Sequence, residues 1–397
     1  MKRYHTKILC QKTILFVLLM LGIVLLPLTD GAGAQEFMLQ SKAALLMDNS
    51  TGEIIFSQND QEKVFPASVT KIMTMLLALE ALERGDITLQ DQVPITKTAA
   101  GFGGSTIFLD VGDVVDVESL LIGIAVGSGN DAAVALAEYL AGSVEGFVDL
   151  MNRRAKELGM ENTHFINPTG LHDEDHYTTA YDTALMTREL LGSHPIFFKW
   201  STIWMDENFL EGKIKSGKVY LSNTNRLVRF YQGCDGVKTG YTDESLHSIV
   251  ATAERNGMRF IAIAFNAPTS DIRYLEARQL LDFGFANFKS IQLAKKNEIV
   301  ATLPIEKGNL QEIEIITAEM VGLLAGKEEK GDYATEMIHP KRLNAPLRKG
   351  DRVGSMQIIS GNKILKEVDL IVSKDVEKAS FGLLFKRYLG LWIRFGR

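Results

Sequence analysis

Apolar and polar positions alternate in two rhythms along this chain, one helical and one strand-like, and the order in which they appear predicts the fold. Residues 43–47 and 53–56 read as a hairpin around Asn49-Ser50-Thr51-Gly52. Pro66 then sets an extended entry to a run with helical spacing, Ile72, Met73, Met75, Leu76, Leu77, Leu79, Ala81 and Leu82, which Gly85 can end. After 91–95 comes a loop of small residues, Ala99-Ala100-Gly101-Phe102-Gly103-Gly104-Ser105, able to bring backbone close to a ligand or simply to turn. Helices are predicted over 117–125, over 131–140 with Gly142 as its stop, over 144–158 between Ser143 and Gly159, and over 180–191. Strands are predicted over 218–221, 236–239, 248–253 and 258–265, the last two joined at Asn256-Gly257, and a helix over 271–283. Strands at both ends of this region with helices between them imply an α/β (α+β) domain: a sheet assembled from distant segments and covered by helices.

From about Asn287 the texture changes to short alternations broken by Gly, Pro and charge, such as Ile313-Glu314-Ile315-Ile316 and Val368-Asp369-Leu370-Ile371. This reads as a small β domain over 287–375. The two ends differ again. Lys2, Arg3, Lys7 and Lys12 precede the uncharged run 14–26, then Pro27 and Ala32-Gly33-Ala34, the order of a secretory signal peptide over 1–34. An uncleaved anchor is the alternative, although the run is a little short to span a bilayer. Within 376–397, Phe381, Leu384, Phe385, Tyr388, Leu391, Trp392 and Phe395 recur at helical spacing among Lys378, Lys386, Arg387, Arg394 and Arg397. Cations interrupt that run too often for a spanning helix, and the pattern suits one lying in the headgroup layer; a helix docked on the protein itself is the other reading.

Charge supports the membrane reading. Residues 1–34 carry four Lys/Arg against one Asp and residues 376–397 carry five against one Glu, so of a net charge of −6 the body between them holds −13. An acidic body with a basic amphipathic tail argues against nucleic acid and for an anionic membrane surface met by the tail alone. Without the signal, Cys234 is the only cysteine, so no internal disulfide is expected despite export, and Cys234 reads as a small structural residue.

Candidate chemistry begins at Ser68-Val69-Thr70-Lys71. A serine and a lysine three residues apart on a helix share a face, and a lysine desolvated among apolar residues can be neutral enough to take the serine proton. The pattern is short, and Ser360-Gly361-Asn362-Lys363 repeats it where flanking alternation predicts a hairpin turn. Context separates the two. Ser128-Gly129-Asn130 lies between two predicted helices and Lys238-Thr239-Gly240 at a strand end, and the order Ser-x-x-Lys, Ser-x-Asn, Lys-Thr-Gly is that of penicillin-binding proteins and class A β-lactamases. With Asn162-Thr163-His164-Phe165, Asn167-Pro168-Thr169-Gly170-Leu171 and Asp235-Gly236-Val237-Lys238-Thr239-Gly240-Tyr241-Thr242, the chain resembles serine-type D-alanyl-D-alanine carboxypeptidases, the low-molecular-weight penicillin-binding proteins. The likeness covers nearly the whole mature chain. It departs at Ser245-Leu246-His247, where relatives usually carry a pair of small residues.

The resemblance implies a transpeptidase-like domain over 35–286, a following β domain, and an amphipathic anchor at 376–397. It further implies Ser68 as nucleophile, Lys71 as its base, Ser128 as proton relay to the leaving D-alanine, and Asn130 as holder of the substrate amide. Lys238 and Thr239 would meet the terminal carboxylate, and the N–H groups of Ser68 and of Tyr241, just past Gly240, the oxyanion. The expected partners are a peptidoglycan stem peptide ending in D-Ala-D-Ala, β-lactams as covalent inhibitors, and membrane lipid, on the outer face of the cytoplasmic membrane. A β-lactamase, and a non-catalytic penicillin-acylated sensor or wall-peptide binder, are the rival readings; the segment after Asn162 lacks the glutamate signature of the class A enzymes. The run His172-Asp173-Glu174-Asp175-His176 reads as a solvated polar loop, because adjacent ligands on a loop do not fix a coordination shell. No cofactor or metal is expected.

Overall fold

A computed structural model describes residues 38–329, 331–361 and 363–387. The signal-peptide segment and the last ten residues of the tail lie outside the described residues. The organising element is an antiparallel sheet of five strands, β1 (Ala43–Asp48), β2 (Ile54–Gln58), β3 (Cys234–Thr242), β4 (Leu246–Arg255) and β5 (Met258–Ala267). Their order is β2-β1-β5-β4-β3, so β1 pairs with a strand far along the sequence, Ala43 opposite Phe265, and β3 forms the edge. Every residue of β1 is buried, which requires cover on both faces. That cover comes from helices of which six are used below: α1 (Lys71–Arg84), α2 (Val117–Gly127), α3 (Asn130–Ala141), α4 (Val144–Glu157), α5 (Ala180–Ser193) and α6 (Ser270–Asn287). The core joins Leu45 and Met47 of β1, Ile72 and Leu76 of α1, Ile124 of α2, Leu136 of α3 and Ile261 and Ile263 of β5.

Local chemistry accounts for these elements. Asp116, Ser143, Thr179 and Thr269 each accept a hydrogen bond from a backbone N–H in the first turn of α2, α4, α5 and α6, satisfying donors a helix start leaves free. β4 and β5 meet at Asn256-Gly257, both at positive φ, as the turn requires. A long strand with no counterpart in the reading of the sequence is Met205–Ile214, paired with Gly217–Ser222. Its alternation is broken by charge, and side-chain bonds to distant residues hold it, Lys213 Nζ to Asp116 at 2.6 Å and Lys215 N–H to Asp113 at 3.1 Å.

The β domain begins at Phe288, directly after α6, where Phe288–Ala294 pairs with Val321–Gly326. A six-stranded sheet follows, and Arg352–Ser360 and Lys363–Val372 form the hairpin expected around Gly361. The second Ser-x-x-Lys match therefore serves a turn. Pairing runs past the expected end near Asp375: Val376 exchanges bonds with Leu347, and Ala379 donates to Lys307 O at 2.8 Å. The tail helix accordingly starts only at Phe381 among the described residues, because the preceding backbone groups are used in these bridges.

Candidate active site

Ser68 stands on a single 3-10 turn, Ala67–Thr70, that runs directly into α1. Ala67, the residue before it, has φ +46, a left-handed conformation costly for a side chain other than glycine and held here by its surroundings. Two segments provide that hold. Gly240 of β3 lies so close to the turn that a Cβ there would sit 2.9 Å from Pro66 O and 3.2 Å from Ser68 N. From the other side comes the loop Asn167-Pro168-Thr169-Gly170, where Pro168 O accepts from Thr74 Oγ1 at 2.7 Å and a Cβ on Gly170 would fall 1.7 Å from Ala67 O. Gly170 is also at φ +83, so Gly170→Ala is expected to cost about 2–4 kcal/mol from strain and overpacking together, read as a lowered urea midpoint at unchanged slope.

Lys71 is fully buried and its Nζ has three partners: Ser68 Oγ at 3.0 Å, Asn130 Oδ1 at 2.6 Å and Thr169 O at 2.8 Å. The Asn130 amide is oriented from behind, since its Nδ2 donates to Gly103 O at 2.6 Å, so Oδ1 faces the lysine. Two of the three partners can therefore only accept. Burial, and then the charge of Lys238, push the Lys71 ammonium well below its usual range, with Asp131 opposing. A neutral amine there donates to Asn130 and Thr169 and turns its lone pair to the Ser68 hydroxyl. Asp131 itself receives N–H bonds from Ile107 and Leu109 at 3.0 Å, and the backbone N–H of Asn130 donates to Ser105 O at 2.7 Å. The small-residue loop 99–105 is thus tied to the start of α3.

Lys238 is buried with its Nζ donating to Thr239 O at 2.9 Å, and burial first, Arg273 second, bring its pKa to about 7. An arriving carboxylate would raise it again. Ser128 ends α2 in the left-handed region at φ 62 and is buried, but among the described residues its hydroxyl has no hydrogen-bond partner. The Thr239 hydroxyl likewise has none, and Tyr241 is half exposed with its ring stacked on His247, 4.6 Å between centroids. The structure thus brings Ser68, Lys71, Asn130 and Gly240 into direct contact and sets Lys238 near enough for its charge to act on Lys71. Ser128, Thr239 and Tyr241 make no side-chain hydrogen bond to that group among the described residues.

Three participants escaped the reading of the sequence. The Thr169 carbonyl lies in a quoted motif, but a backbone atom leaves no signature. Arg273, on the expected helix α6, is buried and donates to Gly240 O at 3.0 Å, bracing β3 from behind; only its tertiary setting marks it. The third is a correction. His176 was expected in a solvated loop with His172 and the acids between, and those four neighbours are exposed, but His176 is 2% exposed. Its Nδ1 accepts from Ile166 N–H at 3.2 Å, so Nε2–H donates to Thr70 Oγ1 at 2.8 Å, beside Lys71. Burial lowers its pKa to about 4. Between pH 6.5 and 4 the unfolded chain binds a proton the folded chain refuses, so stability falls as pH falls through that window, by about 3 kcal/mol in all. Urea unfolding at pH 7 and pH 4.5 checks this: the loss in wild type should exceed that in His176→Gln by about 2 kcal/mol. Cys234 is buried, its Sγ donates to Gly236 O at 3.4 Å, and burial lifts the thiol to about 12, which leaves it inert. Among the described residues no group of three His, Cys, Asp and Glu side chains could hold a metal.

Comparison with known proteins agrees with this geometry. Residues 30–269 match the family described as D-alanyl-D-alanine carboxypeptidase, and residues 288–378 match the C-terminal domain of penicillin-binding protein 5. The D-alanyl-D-alanine carboxypeptidase DacF of Bacillus subtilis (strain 168) is 40% identical over 95% of this chain and 98% of its own length. Penicillin-binding protein 5 from Haemophilus influenzae superposes with a TM-score of 0.70 at 30% identity, covering 87% of this chain and all of that one. Penicillin-binding protein D2 from Listeria monocytogenes, solved in its ampicillin-bound form, gives a TM-score of 0.56 at 29% identity over 63% of this chain and 98% of that one. Two family matches in tandem, and a relative alike from end to end, agree with the paired sheets and the serine–lysine contact: the chain belongs to the D-alanyl-D-alanine carboxypeptidase family of penicillin-binding proteins.

Proposed function

We propose that the protein is a penicillin-sensitive serine-type D-Ala-D-Ala carboxypeptidase that removes the terminal D-alanine from peptidoglycan stem pentapeptides. The observation that carries this reading is the buried Lys71 amine, held by two acceptors with Ser68 Oγ 3.0 Å away. Ser68 attacks the carbonyl between the two D-alanines as Lys71 takes its proton, giving an acyl-enzyme and, after proton return, free D-alanine. The N–H groups of Ser68 and Tyr241 receive the oxyanion, on either side of the Gly240 contact. Ser128, whose hydroxyl is uncommitted, passes the proton to the leaving amine; Asn130 orients Lys71 and binds the substrate amide; Lys238 and Thr239 hold the terminal carboxylate. Water then releases the shortened peptide. Incubating the purified protein with a pentapeptide ending in D-Ala-D-Ala tests the assignment by release of D-alanine. Covalent penicillin labelling without that release would mark a sensor, and rapid penicillin hydrolysis without it a β-lactamase.

The same reading places the protein outside the cell, as an exported chain with a catalytic domain over 35–286, a β domain over 287–375 acting as spacer, and a lipid-contacting helix at 376–397. One feature favours contact with lipid: Phe381 and Phe385 stack on one another and are 85% and 59% exposed. Arg387, on the same helix, donates to Gly308 O at 2.7 Å and ties it to the β domain. Among the described residues no helix is long and apolar enough to cross a membrane.

A further inference from the structure

The stretch Ser245-Leu246-His247, where the sequence departs from the pattern it otherwise resembles, has a definite shape in the structure. Ser245 is buried and closes the turn between β3 and β4 with two reciprocal bonds: its Oγ accepts from Thr242 N–H at 3.0 Å, and its own N–H donates to Thr242 Oγ1 at 3.0 Å. Asn266 Nδ2 donates to Ser245 O at 2.7 Å, and Leu246 follows at φ +50, in the left-handed region. A turn fixed in this way sets His247 opposite Tyr241 in the ladder. Opposed residues share one face of the sheet, and the two rings stack, with 4.6 Å between centroids and 30° between planes. The Tyr241 hydroxyl donates to Asp243 Oδ1 at 2.8 Å, which holds the far end of its ring.

What the stack steadies is one peptide unit. Gly240 O and the Tyr241 N–H belong to the same planar amide and point in opposite directions, so a contact that fixes one aims the other. On the Gly240 side the hold is strong: Arg273 Nη1 donates to Gly240 O at 3.0 Å, and a Cβ on Gly240 would lie 3.2 Å from Ser68 N. On the Tyr241 side it is weaker, because β3 is the edge of the sheet and Tyr241 is 52% exposed, with the His247 ring as the surface it rests on. His247 offers the face of its ring for this; its Nδ1 is buried and has no hydrogen-bond partner among the described residues. A donor to a developing oxyanion is effective when it is held in place before the charge appears. Loosening the Tyr241 amide therefore penalises the transition state and leaves ground-state binding nearly alone.

We propose that His247 is a positioning residue for the oxyanion donor, its ring fixing the Gly240–Tyr241 amide by stacking on Tyr241. The inference rests on the role given to the Tyr241 N–H in the carboxypeptidase reading. Acylation by penicillin, followed up to saturating antibiotic, separates the dissociation constant of the first complex from the rate constant of acyl transfer. His247→Ala is expected to lower that rate constant about tenfold, short of the loss of a whole donor, with the dissociation constant within about twofold of wild type. His247→Phe, which keeps a flat ring without nitrogen, should acylate within about threefold of wild type. Tyr241→Ala removes the other half of the stack and should be slowed like His247→Ala, and adding His247→Ala to it should cost less than about a further twofold. A wild-type rate in His247→Ala, a change confined to the dissociation constant, a His247→Phe protein as slow as His247→Ala, or a full second loss on top of Tyr241→Ala overturns the inference. A wild type that is acylated by penicillin but releases no D-alanine from a pentapeptide overturns the carboxypeptidase reading alone, since acylation by penicillin passes through the same oxyanion.

Discussion

Ser68→Ala is expected to lose covalent labelling by penicillin altogether and to lower D-alanine release by about 10⁴-fold or more. The argument is structural as well as chemical. Ser68 Oγ is the one hydroxyl bonded to Lys71 Nζ, and no other nucleophile among the described residues touches that amine. Its removal deletes the atom that forms the acyl bond and leaves the amine held by Asn130 and Thr169. The fold should not change, since the Ser68 side chain packs no core and its only side-chain bond among the described residues is the one to Lys71. Gel fluorescence with a labelled penicillin, beside circular dichroism of wild type and variant, reads both effects. Labelling that persisted in a folded Ser68→Ala protein would move the nucleophile elsewhere and end the assignment.

Lys71→Arg is expected to lower the acylation rate by about 10³-fold although it keeps a cation in the same place. Arginine cannot lose its proton in this pH range, and its planar fork does not fit the three-point setting of an amine between Ser68, Asn130 and Thr169. If Lys71 served only as positive charge, the substitution would be mild. The pH profile separates the two roles further. Burial and Lys238 lower the Lys71 pKa, so on the acid side kcat/KM should fall with falling pH as Lys71 takes up a proton and ceases to be a base. On the alkaline side Lys238, with a pKa of about 7 in the free protein, gives up the charge proposed to bind the carboxylate, and kcat/KM should fall again. A bell-shaped profile in wild type, and in Lys71→Arg a low one that has lost the acid limb and keeps only the alkaline limb of Lys238, are the expected results; an unchanged acid limb in the variant would remove Lys71 from proton transfer.

The helices, the strand β3 and the candidate serine were legible in one dimension because each depends on neighbours within a few residues. Periodicity announced α1 through Ile72, Leu76 and Leu79, which the core then buries completely, and Ser143 announced the start of α4. Three spaced motifs singled out Ser68, Ser128 and Lys238 as candidates for the same reason: residue type and offset are local properties. Even the misleading match at Ser360 was separable, by the alternation on both sides of it.

What could not be read there depends on sums over distant segments. Lys71 is a plausible base because a carbonyl 98 residues away and an amide 59 residues away take up its N–H bonds while Lys238 adds repulsion, and no window of sequence contains all three. His176 looks like one more polar residue in an acidic loop until the loop folds under α1 and Thr70 claims its Nε2–H. The strand Met205–Ile214 has too broken an alternation to declare itself and forms because Asp113 and Asp116 bind its far end. Periodicity and motif spacing report which face of an element is apolar and which residue types recur. Desolvation and charge proximity, which set the protonation state of a buried lysine, exist only once separate elements are packed together.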